Sequence, residues 1–122
     1  MWSMLLQTVS PVAVLGTTVL FALFLSLTAH LAARNVLGDV DPRRALYVGP
    51  LPAVIGVVGG AFSIPEALIV PIALVVDGIM FGWSYEQPRR IVVGMTVIHA
   101  VITTLLGLVV LGVLVLLAAR PG

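Results

Sequence analysis

The sequence contains no cysteine and no lysine, and it has few charged side chains of any kind. All of its six basic residues are arginine, and only 9% of its 122 residues are charged. Without cysteine there is no disulfide framework and no thiolate metal site. The arginines form no basic patch of the kind that nucleic-acid binding requires. Soluble domains carry about 25% charged residues, so the low charge of this chain excludes an ordinary soluble domain.

Apolar residues dominate instead. They make up 61% of the chain, and the mean hydropathy is +1.23. A soluble fold would leave much of this surface exposed to water, whereas lipid accommodates it. A membrane-spanning helix needs about 20 apolar residues, so the length allows four spans with short loops. We therefore expect residues 1–122 to form a single transmembrane domain.

The apolar segments predict an all-α integral membrane protein folded as a four-helix bundle. Ser10 and Pro11 are typical of the N-cap and first position of a helix. Ser63 and Glu66 match the capping box S-x-x-E and predict the start of the third helix. Pro50, near the start of the second segment, leaves open a kinked or partly re-entrant span. The predicted spans are about 10–33, 45–61, 64–82 and 91–119.

The distribution of arginine predicts the orientation. The first loop holds Arg34, Arg43 and Arg44, the third loop holds Arg89 and Arg90, and the second loop holds none. Positively charged loops stay in the cytoplasm, so both termini are expected outside a multi-pass protein of the cell membrane. The aromatic residues expected to anchor the chain at the membrane surfaces are Trp2, Tyr47 and Trp83.

Three ionisable side chains lie within the predicted spans. They are His30, Asp77 and His99, all expected in the cytoplasmic half of the bilayer. Thr96 and Thr103 share a helical stripe with His99 and complete a candidate intramembrane polar cluster. Because a buried carboxylate is costly in lipid, Asp77 is expected to face the bundle interior or a wet cavity.

This cluster has a functional and a structural interpretation. The functional one is a proton- or ion-handling site, or a metal site formed by two histidines and the aspartate. The structural one is that these side chains hydrogen-bond one another and fix the helix register, at about 0.6 kcal/mol per bond. The structural interpretation is preferred, because three residues without a fixed spacing are not a motif, and no metal or cofactor is assigned.

Two pairs of glycines match the close-packing spacing of membrane helices. They are Gly56 with Gly60, and Gly78 with Gly82. Such pairs let helices approach closely, either within one chain or between copies in a homo-oligomer. The sequence holds no hydrolase elbow, zinc-protease helix, phosphate loop or dinucleotide fingerprint, so we do not expect an enzyme.

Residues 28–40 (TAHLAARNVLGDV) and 44–50 (RALYVGP) resemble small uncharacterised four-span membrane proteins of halophilic archaea. This resemblance implies an archaeal cell membrane and no assigned activity. In length and span count the chain is also similar to small multidrug transporters. Those carry a membrane-embedded glutamate in the first span, whereas the first 30 residues here hold no acid. That departure argues against proton-coupled drug export.

The function expected from these observations is a non-enzymatic accessory or structural membrane subunit. The alternative is a small homo-oligomeric transporter or channel that uses the intramembrane Asp/His cluster. A membrane enzyme is the third and least favoured class. The expected partners are the lipid bilayer and either another membrane protein or further copies of the chain, with no nucleic acid.

Overall fold

The computed structural model describes residues 10–121, and they are helical with no β-strand among them. Four helices follow one another along the chain, and a 3-10 helix precedes the second. Four segments are long and apolar enough to cross a membrane, the second of them combining the 3-10 helix with α2. Trp2 lies outside the described residues. The bounds are α1 Pro11–Leu37, the 3-10 helix Pro42–Tyr47, α2 Pro50–Ala61, α3 Glu66–Tyr85 and α4 Arg89–Ala119.

The predicted start of α1 is confirmed, and its end lies later than predicted. Ser10 is the N-cap, its hydroxyl oxygen accepts a hydrogen bond of 3.0 Å from the Ala13 N–H, and Pro11 follows. At the other end the helix continues to Leu37, where Gly38 turns the chain with φ of 87°. Leu37 packs against the hydrophobic core, and this packing extends the helix into a segment whose polar composition indicated a loop.

The second span is divided. Asp41 caps the 3-10 helix by accepting a hydrogen bond of 3.0 Å from the Arg43 N–H. Pro50 begins α2, where its missing N–H has no helical partner to lose. At 12 residues, α2 alone is about 18 Å long, so it does not cross a bilayer core of about 30 Å without the 3-10 helix.

Gly49, between these two helices, brings the chain against α1. A Cβ atom added at Gly49 would lie 2.5 Å from the backbone nitrogen of Ser26 and 2.7 Å from the carbonyl oxygen of Ala22. Contacts this short do not occur, so only glycine fits here without moving a helix. The close approach therefore holds the start of α2 against the middle of α1.

The predicted capping box at the start of α3 is wrong. The helix begins at Glu66, its N-cap is Pro65, and no side chain caps it. Ser63 instead lies in the left-handed region with φ of 56°, whereas an N-cap residue is extended. Its N–H donates to the Gly60 carbonyl at 3.1 Å and the Ile64 N–H donates to the Gly59 carbonyl at 2.9 Å. These bonds form the Schellman motif that ends α2, so Ser63 belongs to the helix before it.

The predicted packing glycines differ in what they face. Gly78 and Gly82 on α3 lie against α4, where added Cβ atoms would meet Thr96 at 3.3 Å and Val92 at 3.6 Å. A Cβ atom added at Gly56 on α2 would lie 3.1 Å from the Phe21 ring of α1. A Cβ atom added at Gly60 would meet nothing within 4 Å, so Gly60 makes no close helix contact among residues 10–121.

The hydrophobic core lies toward one end of the bundle. We call this the Arg-rich end; it contains the end of α1, the 3-10 helix, the end of α3 and the start of α4. The other end, which carries the turn 62–65, is called the hairpin end. Beyond the core, residues 11–17 of α1 and 108–119 of α4 are exposed at every position. The core consists of Ala29, Ala32, Ala33, Ala45, Val48, Phe81, Tyr85 and Met95.

Candidate functional site: a buried aspartate–histidine pair beside a cavity

The two ionisable side chains Asp77 and His99 meet in the middle of the bundle. Asp77 is on α3 and His99 is on α4, and the two residues are 4% and 3% exposed. The Nδ1 atom of His99 lies 2.5 Å from Oδ2 of Asp77. This hydrogen bond joins two helices across the bundle interior.

The other ring nitrogen of His99 reaches α1. Its Nε2 atom lies 2.8 Å from the hydroxyl oxygen of Thr28 and 3.0 Å from the carbonyl oxygen of Leu25. The Thr103 hydroxyl, one turn further along α4, donates to the Thr28 oxygen at 2.9 Å. One imidazole ring therefore connects α1, α3 and α4.

The acceptors around His99 determine which protons the site can hold. The Asp77 carboxylate and the Leu25 carbonyl only accept hydrogen bonds, so a ring with N–H groups on both nitrogens satisfies both of them. The Thr28 hydroxyl then donates to Leu25, which lies 3.1 Å away. In this state the positive ring and the carboxylate cancel, and the pair carries no net charge.

Loss of one proton changes the arrangement. If Nε2 has no hydrogen, it becomes an acceptor, and the single proton of the Thr28 hydroxyl turns from Leu25 toward the ring. The distances from the Thr28 oxygen, 2.8 Å to Nε2 and 3.1 Å to the carbonyl, allow both arrangements. The pair then carries one negative charge in the interior of the bundle.

Only one oxygen of Asp77 is used in the pair. The other, Oδ1, is buried and makes no hydrogen bond with any residue in the range 10–121. Asp77 and His99 both line a cavity of about 430 Å³ whose other walls are mainly apolar. A buried acceptor without a partner is costly, so a donor or cation that reached this oxygen would be stabilised there.

The cavity follows one face of α3. Residues 66, 69, 70, 73, 74 and 77 line it, at the spacing of three and four that keeps side chains on one helical stripe. Glu66, at the hairpin end, is eleven residues before Asp77, a distance of about 16 Å along the helix. One carboxylate therefore stands at the hairpin end of the stripe and a second at its deep end.

Packed side chains separate the pair from the Arg-rich end. The Phe81 ring contacts the His99 ring edge to face, with centroids 5.4 Å apart and planes at 88°. Phe81 and Met95 are both fully buried. The cavity therefore ends at the pair, and a dense apolar layer lies beyond it.

The structure brings together three of the five polar residues singled out in the sequence: Asp77, His99 and Thr103. Thr96 donates to the Val92 carbonyl of its own helix at 2.8 Å. No hydrogen bond within residues 10–121 joins His30 to the pair, and the Nδ1 atom of His30 is buried without a partner. No three His, Cys, Asp or Glu side chains in that range are placed to hold a metal ion, so the two histidines and Asp77 do not form the metal site considered above.

Sequence reasoning missed Thr28. Ser26, two residues earlier on α1, does not join the pair, because its hydroxyl donates to the Ala22 carbonyl at 2.7 Å. The signal that could have identified Thr28 is the run of small residues around it, because Ala29 and Ala32 mark the face of α1 that the other helices cover.

Fold and site together define a four-helix, all-α protein with a buried carboxylate–imidazole pair at the end of a cavity. Residues 8–121 match the model of a family of unknown function, DUF7473, and the chain belongs to that family. No curated protein and no solved structure matches the chain.

Proposed function

We propose that the protein is a multi-pass protein of the cell membrane with the Arg-rich end in the cytoplasm and both termini outside. Four sufficiently long and apolar helices support the membrane placement. The arginines of the first and third loops support the orientation. The resemblance of residues 28–40 to membrane proteins of halophilic archaea supports the same placement and an archaeal source.

Within that membrane, we propose that the protein exchanges a proton for a small monovalent cation at the Asp77–His99 pair. The observation that carries this proposal is that Asp77 lines the cavity and has a buried Oδ1 without a hydrogen-bond partner among residues 10–121. An ionisable residue at membrane depth is a functional candidate by default, and this one combines a proton-binding partner with space for a ligand.

Charge balance explains why the two ions would compete. With its proton the pair is neutral, and without it the pair carries a negative charge in an apolar environment, which costs at least about 2.5–3.5 kcal/mol. A cation that enters the cavity and contacts Oδ1 restores neutrality. Cation entry therefore favours proton release, and proton binding favours cation release.

The route to the pair runs along the stripe of α3. Glu66 at the hairpin end attracts cations, and the side chains that α3 contributes to the wall between Glu66 and Asp77 are apolar. Phe81 and Met95 block continuation toward the Arg-rich end. A transport cycle requires this layer to open after the exchange, as in carriers that alternate access between two sides.

Proteoliposomes with a trapped pH-sensitive dye test the proposal. An imposed gradient of Na⁺, K⁺ or methylammonium is expected to drive proton movement in the opposite direction with the unaltered chain, and Asp77→Asn is expected to abolish it. The control is Thr18→Val, because Thr18 lies on α1 away from the cavity and bonds only its own helix. Equal fluxes through the unaltered protein and Asp77→Asn, or no flux with any of the three cations, would contradict the exchange.

A separate observation favours the accessory or structural subunit as the second candidate. Within residues 10–121, segments 11–17 and 108–119 are exposed at every position, and a Cβ atom added at Gly60 would meet no neighbour. A non-enzymatic subunit would place these surfaces against a partner membrane protein or another copy. Native mass spectrometry after gentle extraction distinguishes the outcomes: a reproducible different polypeptide supports the subunit, and a closed homo-oligomer supports the transporter.

A further inference from the structure

A second cavity, of about 600 Å³, lies at the Arg-rich end between the 3-10 helix and the end of α3. Two side chains fix its base. The Ser84 hydroxyl donates to the Arg44 carbonyl at 2.7 Å, and Nη1 of Arg44 donates to the Ser84 carbonyl. Because each residue bonds the backbone of the other, the two walls are held at a fixed separation.

Aromatic side chains form another part of the wall. Tyr47 and Trp83 pack edge to face with centroids 5.7 Å apart and planes at 85°. They remain 58% and 64% exposed, so each keeps a large apolar surface open. Tryptophan and tyrosine in such positions are typical of the headgroup level of a membrane, where one part of the ring is wet and another contacts lipid.

The charges in this cleft are balanced. Arg43 and Arg44 supply two positive charges, and Asp41 and Glu86 supply two negative ones. The hydrogen bond from the Arg43 N–H, followed by the nearby guanidinium, lowers the pKa of Asp41 and keeps it charged. The Arg43 side chain is 84% exposed and meets Asp41 only through Nε, which leaves its terminal nitrogens free of hydrogen bonds to residues 10–121.

We infer that this cleft binds a phosphate group that also carries hydroxyl groups, as the headgroup of a polyol phospholipid does. The free guanidinium nitrogens of Arg43 suit a phosphate, which they can bind in a bidentate manner. The carboxylates of Asp41 and Glu86 only accept hydrogen bonds, so they suit hydroxyl groups and disfavour a second anion. The exposed rings of Tyr47 and Trp83 suit the apolar part of a lipid. This inference is independent of the proposed ion exchange.

The balanced charge distinguishes this site from general attraction between arginines and anionic lipid. A cleft with no net charge exerts little long-range electrostatic attraction on a simple anion. Selectivity then depends on simultaneous contacts with the phosphate and the hydroxyl groups. A glycerol-phosphate headgroup offers both, and a choline headgroup offers the phosphate with no hydroxyl.

The test uses the full chain purified in detergent and examined by native mass spectrometry. The probes are phosphatidylglycerol, phosphatidylcholine with the same acyl chains, and soluble glycerol 3-phosphate. Phosphatidylglycerol is expected to be retained in preference to phosphatidylcholine, and Arg43→Gln is expected to lower its retention about fivefold. The matched control is Arg90→Gln, which removes the same charge at the same end from an exposed residue that does not line the cleft.

The outcomes separate the chemistry from its source. Preference for phosphatidylglycerol without binding of glycerol 3-phosphate assigns the site to a lipid, whereas binding of glycerol 3-phosphate that is lost in Arg43→Gln assigns the same chemistry to a soluble ligand. Equal retention of the two lipids would overturn the inference. An equal loss in Arg43→Gln and Arg90→Gln would also overturn it, because it would show attraction to the whole Arg-rich end.

Discussion

Replacing His99 with leucine removes the one hydrogen-bond partner that the Asp77 side chain has among residues 10–121. Both carboxylate oxygens would then be buried without a partner, because Oδ1 makes no hydrogen bond with residues 10–121 even in the intact chain. Thr28 would be little affected, since it keeps the Leu25 carbonyl at 3.1 Å and the Thr103 hydroxyl at 2.9 Å. Breaking a buried pair from one side costs about 3–5 kcal/mol, and we expect His99→Leu to destabilise the protein by that amount.

Removing both partners should cost less than removing one. In the double variant Asp77→Leu/His99→Leu neither member of the pair is left buried without the other, and such replacements are often close to neutral. The second substitution should therefore recover at least about 2 kcal/mol of the loss. Asp77→Leu alone should be intermediate, at about 1–3 kcal/mol, because a neutral imidazole remains.

Reversible unfolding in mixed detergent micelles, followed by circular dichroism, measures these free energies. Thr18→Val is the control and should change the free energy of unfolding by no more than about 0.5 kcal/mol, because its hydroxyl is exposed. A cost of less than about 1 kcal/mol for His99→Leu would contradict a buried pair at this position. Losses of the single variants that add in the double variant would contradict it as well.

Three further outcomes follow from local geometry. Gly49→Ala should destabilise the protein by about 1–3 kcal/mol, because the added Cβ would overlap the backbone of α1. Gly60→Ala should be neutral or stabilising by up to about 1 kcal/mol, because the added Cβ would meet nothing within 4 Å. Thermal melts of the two variants compare them directly. Ser63→Gly should stabilise the protein by about 1 kcal/mol, because glycine adopts the left-handed backbone conformation without steric strain. A loss of stability would instead indicate that the Ser63 side chain caps α3. The pKa of Asp41 is lowered below 3.8, chiefly by the hydrogen bond from the Arg43 N–H. The charged Asp41 therefore adds to the free energy of unfolding above about pH 4, and this contribution is lost as the pH falls through the lowered pKa. A titration by NMR of the Arg43 amide should show a midpoint below 3.8, and a midpoint at or above that value would contradict the assignment.

The number and order of the helices could be predicted because each depends on a long apolar run. The helix ends depend on shorter-range and tertiary effects, and the sequence predicted them unevenly. Ser10 caps α1 as its position indicated, and proline follows it at the first position of the helix. Ser63 also lies shortly before a proline, but it follows the end of α2 by two residues, and the turn that ends α2 uses it.

The site could be predicted in part for a similar reason. Asp77 and His99 stand out because ionisable residues are rare in apolar helices, so their pairing follows from the cost of leaving either alone. Thr28 does not stand out, because a threonine in a membrane helix usually bonds its own backbone. Its role depends on which face of α1 meets α4, and that is decided by the packing of alanines and by Gly49, far from Thr28 in the sequence.

The one-for-one exchange proposed at the Asp77–His99 pair has a consequence for the response to voltage. Moving one elementary charge across a membrane changes its electrical free energy by about 2.3 kcal/mol for every 100 mV of membrane potential. A site that releases one proton for each monovalent cation it takes up moves no net charge in a complete cycle. The electrical potential would then contribute nothing to the exchange, and its direction would depend only on the two concentration gradients. In the proteoliposomes, clamping the voltage at zero or at 100 mV should leave the equilibrium distribution of the two ions unchanged.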